Sequence, residues 1–156
     1  MGTTYLGLDE AKAKKVADRV NDLLAAYQVH YMNLRGYHWN LKGDRFFEMH
    51  AKFEELYDDA KLRIDEVAER VVTLGFTPDH TYSVFLEKSD IKEHPNVTAP
   101  AEGVKLILEA IRKLVGIERE VLKLGEEAGD EGTVDMMGSY INENEKLAWM
   151  LNAYLS

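Results

Sequence analysis

Apolar residues recur at steps of three and four along almost the whole chain, and alternation of period two is nearly absent, so the pattern predicts helices and no sheet. From about residue 9 to 39, Val16, Val20, Leu23, Leu24, Tyr27, Tyr31 and Leu34 form one stripe, and His38 continues it. The break Leu41-Lys42-Gly43-Asp44 supplies a glycine for a turn and Asp44 as the expected N-cap of a second helix. That helix runs to about Leu74 on a stripe of Phe46, Met49, Phe53, Leu56, Ala60, Ile64, Val67 and Val71, with Gly75 and Pro78 as stop signals. A third helix, about 100 to 127, carries Val104, Leu108, Ile111, Val115 and Leu122 on one side. After the break Gly129-Asp130-Glu131-Gly132-Thr133 a fourth uses Met137, Tyr140, Ile141, Leu147, Leu151 and Tyr154.

Two tight connections and one long one suggest the topology. Residues 76–99 are enough to cross the bundle, with one short helix expected at Tyr82-Ser83-Val84-Phe85-Leu86. Helices two and three would then run parallel between two antiparallel hairpins. The fold class expected is all-α, a ferritin-like four-helix bundle with a long crossover, in a single domain over residues 1–156. The pattern alone is also compatible with a plain up-down bundle and a loose middle loop.

Composition narrows the chemistry. With no cysteine in the chain, disulfides, iron-sulfur clusters and thiol catalysis are excluded, and any metal must be held by His and carboxylates. A formal net charge of -9 disfavours nucleic acid as a whole-surface partner and favours attraction of cations. No apolar run is long enough for a membrane span, and the polar start lacks the apolar middle of a signal peptide. A cytoplasmic location is the expectation.

His50 and Glu54 are four residues apart on the second helix, as are Asp65 and Glu69, so each pair shares a face. The gap of 11 residues between the pairs is close to three turns, which keeps all four on one stripe. Along the axis, however, Glu54 and Asp65 are about 16 Å apart, while metal-ligand bonds are about 2 Å. No single ion can touch both pairs in one chain. Two copies of the helix packed antiparallel about a two-fold axis near Asp59 and Ala60 remove the conflict, because each His50-Glu54 pair then faces the other copy's Asp65 and Glu69. His38, just before the turn, reaches the same bundle end as His50. Such a mixed nitrogen and oxygen set suits iron, manganese or zinc. Taken singly, each of these residues also reads as ordinary helix surface or core. No histidine has Glu three residues before it, which argues against a di-iron centre inside the bundle.

The stretch Tyr37-His38-Trp39-Asn40-Leu41-Lys42-Gly43, followed by Phe46-Phe47, His50, Phe53-Glu54-Glu55-Leu56-Tyr57, Asp65 and Ala68-Glu69-Arg70, resembles the Dps family of mini-ferritins over nearly the whole chain. The resemblance implies a hollow homododecamer of tetrahedral symmetry whose two-fold interfaces hold ferroxidase centres of two irons each. His38 and His50 would come from one subunit, and Asp65 and Glu69 from its neighbour. Glu54 stands where many relatives have Asp, and its longer arm would reposition the second iron. Trp39 looks like the family's aromatic neighbour of the centre, able to take up an oxidising equivalent; by its residue type alone it is equally a core-packing position. Asp130 and Asp135 are candidates for an acidic ion-entry pore, with helix capping as the alternative.

The activity implied is oxidation of ferrous iron, preferentially by hydrogen peroxide, with storage of ferric mineral and protection against oxidative damage. A second reading is a DNA-compacting architectural protein with secondary iron chemistry and a place at the nucleoid. Against it, Met1 to Leu8 carries no basic residue, and Lys12, Lys14 and Lys15 form the only local basic cluster near the start, beside Asp9, Glu10 and Asp18. DNA binding is therefore expected to be weak. His30 reads as a core histidine, and His80 and His94 as surface residues of the crossover.

Overall fold

The computed structural model describes residues 2–156. It contains α1 (Glu10–Asn40), α2 (Phe46–Thr73), α3 (Tyr82–Lys88), α4 (Pro100–Ala128) and α5 (Glu131–Leu155). The described residues hold no strand, only an isolated bridge between Thr3 and Asp9. The four long helices form the expected ferritin-like bundle: α1 packs on α2 and α4, α4 on α5, and α3 covers α1 from within the crossover.

Local chemistry sets the boundaries. Asp9 caps α1 by accepting the Lys12 amide at 2.9 Å. Pro100 occupies the first turn of α4, where its missing N–H costs nothing. Gly129 ends that helix in the left-handed region at φ 67°, and the Asp130 amide reaches back to the Gly125 carbonyl at 2.8 Å. Asp130 then caps α5 by accepting the Thr133 amide at 3.1 Å, so the break is two residues long rather than five.

At the start of α2 the expected N-cap is corrected. Asp44 lies in the turn, Arg45 takes the N-cap position, and no side chain caps this end. Gly43, at φ 118°, turns the chain so tightly that the Phe46 amide bonds the Gly43 carbonyl, and that backbone bond takes the place of a side-chain cap.

The core falls into two apolar clusters. One is built around Leu23, Leu24, Val67, Leu114 and Met137, the other around Leu34, Phe53, Ile107 and Leu151. Along α1, α2 and α5 the changeover between them is marked by polar residues: His30, Arg63 and Asn144. The predicted stripes are otherwise the buried ones, although Tyr31, Phe46, Ile64, Leu108, Leu122, Ile141, Leu147 and Tyr154 are half-buried at the margins.

Candidate metal centre

The α1–α2 turn brings His38, at the end of one helix, against His50, in the second turn of the next. Their rings stack with centroids 3.7 Å apart and planes 12° from parallel. His38 Nδ1 lies 2.6 Å from the His50 carbonyl, and His50 Nδ1 lies 2.8 Å from the His38 carbonyl. A carbonyl only accepts, so each Nδ1 carries the hydrogen and donates it, and the lone pair of each neutral ring is on Nε2. The His38 carbonyl is available because it belongs to the last turn of α1 and the amide four residues on, that of Lys42, bonds Thr98 instead. Each backbone carbonyl thus fixes the tautomer of the other residue's ring, as the hydrogen-bond partners of metal-ligating histidines do.

Glu54 joins them. Its Oε1 is 3.7 Å from His38 Nε2, too far for a hydrogen bond and within the separation of two ligands on one ion. His38 is 6% exposed, whereas Glu54 is open to solvent. Two aromatic neighbours, Phe46 and Tyr57, complete the wall. Phe46 stacks on His50 at 4.9 Å, and Tyr57 meets His38 edge-on at 5.2 Å while its hydroxyl donates to Glu54 at 3.4 Å. The signal was available for Tyr57, which stands three residues after Glu54 and so on its face.

Asp65 and Glu69 are not part of this group. Both are exposed on the same uninterrupted α2, about three turns further on. Glu69 is held above the usual carboxylate range, first by the hydrogen bond it shares with Asp65, then by the charge of Asp65. Among the described residues no set of three or more His, Asp or Glu side chains is placed to hold a metal ion. The chain therefore presents two separate groups: two imidazoles with a carboxylate, and a pair of neighbouring carboxylates.

The remaining candidates divide. Trp39 is 57% exposed, so core packing is ruled out for it; its ring lies 4.7 Å from the Arg35 guanidinium, which also faces Tyr31. Asp130 is 3% exposed, and its carboxylate is engaged by Arg70 at 2.7 Å and by the cap of α5. Asp135 is exposed on α5. His30 is buried, and desolvation, with help from the Arg63 charge, lowers its pKa to about 4. His80 is exposed in the crossover, while His94 is half-buried.

The bundle thus has a long crossover, an imidazole at the end of its first helix, and a second imidazole and the three candidate carboxylates along its second. The ferritin-like domain model matches residues 17–156. The crystal structure of a Dps protein from Vibrio cholerae O1, described as a member of a broad superfamily of ferritin-like diiron-carboxylate proteins, is similar with a TM-score of 0.98 and 48% identity, covering 100% of this chain and 98% of that one. A Dps protein from Bacillus brevis is similar with a TM-score of 0.91 and 38% identity, over 94% of this chain and 98% of that one. A DNA protection during starvation protein from Porphyromonas gingivalis is 40% identical over 148 residues, 95% of this chain and 93% of that protein. The chain is a ferritin-like protein, and within that class it belongs to the Dps family.

Proposed function

We propose that two copies of this chain pair across α2 to form two equivalent iron-oxidising centres, each made of His38, His50 and Glu54 from one subunit and Asp65 and Glu69 from the other. Six such pairs would close into a dodecameric shell that stores the ferric product. The observation that carries this reading is the reciprocal His38–His50 arrangement, which engages both Nδ1 atoms and leaves each Nε2 free, with Glu54 near that of His38 and Asp65 and Glu69 about three turns further along the same helix.

The chemistry follows from the donor set. Hard carboxylate oxygens stabilise ferric over ferrous iron, and imidazoles retain the ferrous ion before it reacts. Two ferrous substrates at one centre give one electron each to hydrogen peroxide; its O–O bond breaks, and two protons are taken up to yield two waters, so no hydroxyl radical is released. The net charge of -9 per chain draws cations toward the shell, and Asp135 is the exposed candidate for their entry route. Location in the cytoplasm fits this role. Among the described residues no helix is long and apolar enough to cross a bilayer. Residues 2–8 argue against DNA compaction as the main activity: they lack Lys and Arg, and they are folded as a turn whose Tyr5 hydroxyl donates to the Thr73 carbonyl.

Subunit complementation tests the shared centre. A His38→Ala, His50→Ala chain and an Asp65→Asn, Glu69→Gln chain should each oxidise Fe(II) slowly with peroxide or oxygen. After co-refolding at equal amounts, half the pairs are mixed and each mixed pair regains one of two centres, so about a quarter of the wild-type rate should return. No recovery in mixed assemblies of normal size would refute a centre shared between subunits.

A further inference from the structure

The seam between the two apolar clusters holds a buried polar group drawn from all four long helices: Tyr27 of α1, Arg63 of α2, Glu118 of α4 and Asn144 of α5. The Tyr27 hydroxyl donates to Glu118 Oε2 at 2.6 Å, and the Asn144 amide donates to Glu118 Oε1 at 3.0 Å. One guanidinium nitrogen of Arg63, Nη1, lies 3.0 Å from the Tyr27 oxygen and 2.7 Å from Asn144 Oδ1. The Tyr140 ring lies 4.8 Å from the guanidinium carbon. Its other nitrogens face Glu143 and, at 3.4 Å, Asp59. His30, one turn after Tyr27, is close enough to feel the Arg63 charge.

Without the guanidinium, what remains is a phenol oxygen, a carboxamide oxygen and a carboxylate around one buried point at the middle of a four-helix bundle. Bundle cores are where facing helices of ferritin-like proteins place their metal ligands, and such an oxygen set is one that divalent first-row ions accept. A full positive charge at 5% exposure is an uncommon choice for a bundle core, and replacing a whole buried ionic group by well-packed apolar residues is often neutral or stabilising. Stability is thus a weak reason for an arginine here. We infer that Arg63 is a built-in cation that occupies a latent metal site inside the bundle and so keeps the core free of metal.

The test uses the assembled protein with His38→Ala and His50→Ala present throughout, which removes the imidazoles of the interface and separates this outcome from that of the shared centre. Into that background go Arg63→Ala, Arg63→Lys, and Arg63→Ala with Glu118→Gln. Cobalt(II) is the probe, read by equilibrium dialysis, by its visible d–d absorption and by the unfolding temperature. Arg63→Ala should take up about one more cobalt per chain than its parent, with a rise in unfolding temperature. Arg63→Lys, which keeps a charge at the site, and the Glu118→Gln double variant should take up no more than the parent. Equal uptake with Arg63 intact, a folded Arg63→Ala chain that takes none, or undiminished uptake after Glu118→Gln would each overturn the inference. Should Arg63→Ala fail to fold alone, cobalt-dependent refolding supports the site, and failure to fold with or without cobalt counts against it.

Discussion

The stacked histidines at the bundle end and the belt around Glu118 are both polar constructions built on α1 and α2, yet they treat hydrogen-bonding capacity in opposite ways. In the belt, Glu118 is fully buried and receives donors from Tyr27 and Asn144, which are themselves held by Arg63. No buried side-chain polar atom of the described residues lacks a partner. At the bundle end, each imidazole uses Nδ1 internally and keeps Nε2 available, while Asp65 and Glu69 sit side by side at the surface, where the neighbouring carboxylate raises the pKa of Glu69. A buried polar group must be satisfied within its own chain because its desolvation is otherwise uncompensated. An exposed one can leave capacity unfilled, since water serves until a ligand arrives. The contrast teaches that function at this surface shows as incomplete bonding and structure in the core as complete bonding.

Three measurements break or sharpen that contrast. The largest effect should come from Asp65→Asn with Glu69→Gln. Ferrous oxidation should fall on the order of a thousandfold, about 4 kcal/mol in the barrier, as the harder ligands are lost. The unfolding midpoint should stay the same or rise, because a like-charge contact is removed. A collapse of the fold would show that these carboxylates are structural.

The second effect is in the core and depends on pH. Burial raises Glu118 to about 7, so the folded state binds a proton that the unfolded state has already released, and this contribution to stability is lost as pH rises from about 4.5 through 7. Burial lowers His30 to about 4, so its contribution has the opposite sign and is lost as pH falls from about 6.5 through 4. The two largely offset each other across the shared window. Denaturant unfolding of Glu118→Gln between pH 5 and 8 should expose the histidine alone: relative to wild type, the variant should gain about 3 kcal/mol at the alkaline end. A constant difference between the two proteins across that range would contradict the burial argument.

The smallest effect is at the α4–α5 junction. Asp130→Ala removes a cap and leaves Arg70 without its partner, which should cost about 1 to 2 kcal/mol by thermal unfolding with ferrous oxidation at the centre retained. A larger loss of iron entry than of stability would give Asp130 a role in ion conduction after all.

Much of this was legible in the residues. The stripes on α2, α4 and α5 mark helices whose ends differ from expectation by a few residues, and the 11-residue gap between Glu54 and Asp65 already sets the two pairs further apart than one ion can span. Other features were partly legible. Arg63 interrupts the core stripe between Ala60 and Val67, and Glu118 follows Leu114 and Val115 at core spacing, so charges inside an apolar stripe marked the belt. Trp39 and Asp130 were ambiguous because one residue type serves two environments: an indole packs a core or covers a surface arginine, and an aspartate caps a helix or faces a pore.

The sequence by itself determined the helices and the exclusion of thiol chemistry, and it limited any metal ligands to His and carboxylates, because periodicity and composition are properties of a single strand of text. Only the tertiary structure decided which histidine nitrogen is free, that Glu54 accompanies His38 while Asp65 does not, and that Arg63, Glu118, Tyr27 and Asn144 meet. Those contacts join residues up to 117 positions apart. Their partners are chosen by how four helices pack, and no local pattern records that choice.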